Sequence, residues 1–138
     1  MSGANLDLKA LLERAPYVRF LGMQAELVGD EMTAILPFSP HLVGNTFIQA
    51  LHGGVIGAFL EMTALAQLSV AQPAPRVHKT IDITIEYLRP GRALTSYARA
   101  DLRKVGRRIA NVHVEAWQED RDQPFAALRG HFLLTSDS

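Results

Sequence analysis

The sequence predicts one α+β domain over residues 1–138, an antiparallel sheet wrapped around a long central helix. Three observations predict it. After His52-Gly53-Gly54 the chain runs VIGAFLEMTALAQLSVAQ, with no proline or charge cluster. That run is too long for a strand and apolar nearly all round, so it is a buried helix. The residues beyond it alternate apolar and polar in stretches joined by short turns, the mark of antiparallel strands. A chain of 138 residues also suffices for one self-standing core.

Taken in order, residues 5–15 read as a short amphipathic helix, with Leu6, Leu8, Leu11 and Leu12 as its apolar side and Pro16 as its stop. Residues 23–28 and 32–38 read as two strands of a hairpin around Gly29-Asp30-Glu31. Residues 39–51, with Pro40, Gly44 and Asn45, read as a loop. The central helix follows and ends at Pro73 and Pro75. In residues 80–88, Ile81, Ile83, Ile85 and Tyr87 are expected on one face and Thr80, Asp82, Thr84 and Glu86 on the other. Arg89-Pro90-Gly91 breaks that strand. Residues 94–103, 109–118 and 125–135 supply the remaining strands, with turns at Val105-Gly106 and residues 119–123. These strands shield the helix from one direction only. A helix apolar on every side therefore needs a second subunit as well.

Composition excludes several function classes. Lys+Arg and Asp+Glu balance at 14 each, so the basic surplus of a nucleic-acid module is missing. There is no polybasic run for a membrane surface. The apolar stretch 55–71 carries Glu61 and Gln67 and precedes patterned strands, which argues against a membrane span. The absence of cysteine removes disulfides, thiolate metal sites and a cysteine nucleophile together. The start MSGANLDLKALLERAP lacks the apolar run of a secretory leader, so a cytoplasmic protein is expected. His41, His78, His113 and His131 show no metal-ligand spacing, and no GxSxG, P-loop or GxGxxG motif is present. No metal or cofactor is expected.

Glu61 is the residue that needs a reason. It is the only ionisable side chain between His52 and Arg76, and a carboxylate in apolar surroundings is costly unless used or paired. Periodicity alone also allows it on a solvent-facing stripe, with Thr63 and Gln67 nearby. Gly53 and Gly54 open the helix, where unpaired N–H groups and bare backbone suit a substrate carbonyl. The same pair also serves simply to start the helix. Gly53 and Glu61 are eight residues apart, about 12 Å along a helix axis. One carbonyl cannot lie within hydrogen-bond reach of both. If both act on one substrate, they come from two chains of a twofold dimer with two sites.

The segment from Asn45 through Leu51-His52-Gly53-Gly54 to Glu61 resembles the signature of hotdog-fold thioesterases of the phenylacetate-degradation (PaaI-like) type, within the 4-hydroxybenzoyl-CoA thioesterase superfamily. The family pattern is an Asn, then His-Gly-Gly, then an acid seven positions after the second Gly, and Gly54 to Glu61 keeps that spacing. Residues 81–91, IDITIEYLRPG, resemble the family's strand leading into a Pro-Gly turn. The resemblance implies a hotdog fold and an acyl-CoA thioesterase. It implies that Glu61 acts as base or nucleophile, that the Gly53 N–H polarises the thioester carbonyl, and that Asn45 positions water or the acyl group. It implies that His52 steadies the loop holding Asn45 and that Thr80 stands near the acid. Gly54, with Lys104, Arg107 and Arg108 around Gly106, would meet coenzyme A. Many relatives carry Asp where this chain has Glu61, and the gap from Asn45 to His52 is one residue longer than in several of them. That leaves Thr46 and Gln49 as alternatives to Asn45. A homodimer is implied, and a dimer of dimers is common in the family. The rival readings are a non-catalytic acyl-CoA-binding sensor and a hydroxyacyl-CoA dehydratase, whose motif differs from this one.

Overall fold

The computed structural model describes residues 16–71 and 76–136. The helix expected at 5–15 lies outside them. Pro16 opens the six-residue helix α1 (Pro16–Leu21). Proline suits a first helical position, because its missing N–H would be unpaired there anyway. Gly22 closes the helix in the left-handed region, its N–H bonding back to Val18 at 3.1 Å.

Strands β1 (Gln24–Val28) and β2 (Glu31–Leu36) form the expected hairpin, turning at Gly29 with φ +65°. The stretch 39–51 is more ordered than a loop. A 3-10 turn at Pro40–Leu42 leads into the small ladder of β3 (Val43–Asn45) and β4 (Ala50–Leu51). Helix α2 (Gly53–Ala71) follows, then β5 (Arg76–Tyr87), β6 (Ser96–Val105), β7 (Ile109–Trp117) and β8 (Ala126–Ser136). The main sheet runs β1-β2-β6-β7-β8-β5, antiparallel at every step. The chain leaves β2 and crosses to the far edge before returning to β6. That crossing carries α2 over the concave face.

Helix α2 is long and apolar enough to cross a membrane, yet most of it is buried. Ile56, Phe59, Leu60, Ala64 and Leu68 share one core with Met32, Leu36, Ala98, Val112, Val114, Leu128 and Phe132 from the sheet. Its apolarity therefore serves the core. A stripe remains half-buried: Ala58, Glu61, Met62, Leu65 and Ser69, spaced as neighbours on one helix face. Thr63 and Gln67 are not on that stripe, contrary to one sequence reading. Both are buried under the sheet. The Thr63 hydroxyl donates to the Phe59 carbonyl at 2.7 Å. Gln67 accepts from the Met32 N–H at 3.1 Å and donates to the Asp30 carbonyl at 3.0 Å, clamping the β1–β2 hairpin to the helix. Gln67→Leu keeps the volume but orphans a buried N–H, and should cost about 1–3 kcal/mol by urea denaturation. A loss below about 0.5 kcal/mol would mean that the clamp is not needed.

The alternation expected in β5 fails at one place. Thr80 pairs with Phe132 and Asp82 with His131, which are neighbours on β8. Ile81 is thus an extra residue, a β-bulge that inverts the faces on either side of it. Ile81 is half-exposed at 51%, not packed inward with Ile83 and Ile85. Thr80 turns to the helix side instead. A second bulge sits in β6, where Leu102 pairs with Val112 and Lys104 with Asn111. The two lie at one level of the sheet, since Asn111 pairs with His131.

Candidate active site

The entrance to α2 is held from several sides. Leu51 N–H donates to the Gly91 carbonyl at 2.8 Å, and His52 N–H to Leu42 at 2.8 Å. His52 Nδ1 accepts from the Gly54 N–H at 2.9 Å, an N-terminal cap made by a ring nitrogen. A nitrogen that accepts carries no proton, so in this arrangement Nδ1 is not a donor. His52 also lies against Gly44, where a Cβ would stand 2.8 Å from its Cα. That contact ties it to the backbone beside Asn45. With Gly54 engaged by His52, the Gly53 N–H has no acceptor among the described residues.

Two residues that sequence reasoning missed fix this end. The Tyr87 hydroxyl donates to the Gly53 carbonyl at 2.8 Å. It lies 3.6 Å from where a Cβ would stand at Gly53 and at Gly57. A Cβ at Gly57 would also meet Ile85 Cδ1 at 2.8 Å. Two glycines one turn apart thus make a slot for the end of β5. Their i, i+4 spacing was the available signal, together with the tyrosine that closes the strand.

At the other end, the Thr80 hydroxyl donates to Glu61 Oε2 at 2.6 Å, with both residues half-buried. This is the length of a charge-assisted bond to a carboxylate. It fixes Glu61 on an otherwise mostly apolar stripe of α2. Gly53 and Glu61 lie on one unbroken helix, so their separation along its axis is the expected 12 Å or so.

Asn45 serves its own loop. Its side-chain oxygen accepts from Phe47 N–H at 3.0 Å and Ile48 N–H at 3.4 Å. Gln49, in the left-handed region at φ +52°, donates from its side chain to the Thr46 carbonyl at 2.8 Å. Among the described residues, no hydrogen bond joins Asn45, Thr46 or Gln49 to His52, Glu61 or Thr80. Lys104, Arg107 and Arg108 are exposed at the β6–β7 turn. A row across the sheet runs Thr80, Phe132, Ala110, Val105. Three strand spacings put that turn about 14 Å from Thr80. A groove of about 660 Å³ opens on the outer face among Arg99, Asp101, His113, Trp117 and Arg129, and neither Glu61, Thr80, Gly53 nor His52 lines it.

A family model described as Thioesterase superfamily matches residues 49–125, more than half of the chain, and spans Gly53, Glu61 and Thr80. The chain belongs to the thioesterase superfamily. A superfamily relative of stated activity, the medium/long-chain acyl-CoA thioesterase YigI of Escherichia coli K12, is 33% identical over 122 residues, covering 77% of each chain. A solved protein from Chromobacterium violaceum is 38% identical over 96% of both chains, with a TM-score of 0.77. The E. coli PaaI protein, from the phenylacetic acid degradation operon, is 19% identical over 97% of this chain and 94% of its own, with a TM-score of 0.83. That last likeness concerns the fold alone. The hotdog architecture implied by the sequence resemblance is the one observed, a sheet curled around one central helix.

Proposed function

We propose that this superfamily member hydrolyses acyl-CoA thioesters at a site divided between two copies of the chain. The class of reaction rests on the family and on relatives named as acyl-CoA thioesterases at about a third identity. The observation that carries the site is the Thr80–Glu61 hydrogen bond, which orients a half-buried carboxylate on a mostly apolar helix stripe. Glu61 takes a proton from water as the water oxygen attacks the carbonyl carbon. The Gly53 N–H of the partner chain holds the developing oxyanion. The C–S bond then breaks, and the proton passes to the leaving sulfur, giving acid and coenzyme A. In the other route Glu61 attacks first, releasing coenzyme A and leaving an anhydride that water opens.

Two features support a shared site. The half-buried stripe of α2 is the face a second helix would cover. The free edge of β5 is the other, since this twelve-residue strand pairs only with β8 among the described residues. A long open edge invites a second strand. Antiparallel pairing of two β5 strands about a twofold at Thr84, with Ile81 skipped as the extra residue of the bulge, sets Thr80 opposite the partner's Tyr87. Thr80 holds Glu61 and Tyr87 holds Gly53, so this register brings the two halves together. Lys104, Arg107 and Arg108 then take the coenzyme A phosphates, and Gly54 lies along the ligand.

The test is thiol release from short, medium, long and aromatic acyl-CoAs. The chain contains no cysteine, so a thiol reagent reports product alone. The named relatives make medium- and long-chain acyl-CoAs the expected substrates. No release from any of them, with tight acyl-CoA binding intact, would point to a binding module instead.

A further inference from the structure

We propose that Gly130, on β8 and away from the reacting groups, is a positioning residue that seats the Ile81 bulge and so turns Thr80 toward Glu61. The inference rests on Glu61 being the working carboxylate. A strand has a period of two, so Thr80 and Asp82 would share a face in a regular ladder. They do not share one here. Asp82 lies on the outer face, bonded to His131 Nδ1 at 2.9 Å, and Glu86 follows it there, paired with Arg129 at 3.1 Å. Thr80 faces the helix and reaches Glu61 at 2.6 Å. The one extra residue, Ile81, produces the inversion.

Across the ladder from this kink stands Gly130, the partner of Ile83. A Cβ at Gly130 would lie 2.9 Å from the Asp82 carbonyl oxygen, 2.8 Å from Ile83 Cγ2 and 3.1 Å from the Phe132 ring. The isoleucine methyl can rotate away. The Asp82 oxygen is backbone, one residue from the bulge, and moves only if the bulge moves. Any side chain at position 130 therefore presses on the element that aims Thr80.

The experiment measures kcat and KM for acyl-CoA hydrolysis with Gly130→Ala in the wild-type and Thr80→Val backgrounds. Losing the hydroxyl's bond to the carboxylate should lower kcat about 10- to 100-fold in Thr80→Val. Gly130→Ala alone should lower kcat comparably, with KM within about twofold, and should add less than about twofold in the Thr80→Val background. Equal losses in both backgrounds, or full activity in the folded single variant, overturn the proposal. A second readout needs no activity. Thr80→Cys supplies the only thiol in the chain. Adding Gly130→Ala should speed its maleimide labelling about tenfold or more, as position 80 turns to the outer, solvated face. An unchanged rate counts against the proposal. If Glu61 proves irrelevant to hydrolysis, the catalytic reading fails while this labelling still reports on the bulge. Should Gly130→Ala not fold, it is combined with deletion of Ile81, which removes the bulge and with it the crowding at the Asp82 oxygen. Recovery of folding supports the proposal, and continued misfolding overturns it.

Discussion

Glu61→Gln should leave a folded protein that turns over acyl-CoA at least about 10²–10⁴ times more slowly, the range for loss of a general base. The substitution is nearly isosteric. Gln still offers the Thr80 hydroxyl an oxygen to donate to, so the 2.6 Å bond has a substitute and the half-buried site is not left orphaned. Stability by thermal melt should therefore change by no more than about 1 kcal/mol. What Gln cannot do is take a proton from water or attack a thioester carbonyl. Near-wild-type turnover in the Gln variant would remove Glu61 from the mechanism altogether. A large drop in melting temperature would instead mark it as structural.

Gly53→Pro should be nearly as damaging to kcat, by about 10²–10³-fold, through a single missing hydrogen. Position 53 is the first residue of α2, where proline is well accepted, and its φ is not among the positive ones. The proline Cβ would meet the Tyr87 side chain, its hydroxyl and ring, at ordinary distances of 3.6–3.8 Å. The change thus removes the N–H and little else. Mixing this variant with Glu61→Gln gives a sharper result. If the site is divided as proposed, a heterodimer has one site joining Glu61 of the first chain to Gly53 of the second, and its other site is doubly defective. Random exchange at equal amounts should restore about a quarter of wild-type turnover from two inactive preparations. No recovery after subunit exchange has been verified by native mass spectrometry would place both groups in one chain, or outside the chemistry.

The sequence made the architecture legible because its two strongest signals were long and periodic. The stretch after Gly54 is apolar throughout, and the strands beyond it alternate. It failed where a single residue outweighed periodicity. Ile81 reads as an inward isoleucine, and nothing in the alternation reveals that the ladder has one residue too many. The conflict was present in the sequence nonetheless: family resemblance set Thr80 beside the acid while periodicity set it on the opposite face. Thr63 and Gln67 misled because a polar side chain looks solvent-facing until its buried partners are known. Glu61 stood out in the sequence as a lone carboxylate in an apolar run, and the glycine pair as the start of the helix, which it is. Tyr87 did not stand out, because its role is to hold a backbone carbonyl, and that pattern leaves little trace in sequence.

The half-covered stripe of α2 has a kinetic meaning. If each site is divided between chains as proposed, a solitary chain carries two unfinished halves and no complete centre. Assembly then obeys mass action, and the working enzyme exists only in proportion to dimer. At dilutions below the dissociation constant, specific activity falls with concentration, and total rate grows with the square of the amount of chain. Saturating substrate that bridges the two halves pulls the equilibrium back toward the pair. Progress curves begun from a dilute stock should accordingly start with a lag, one that shortens as protein concentration rises.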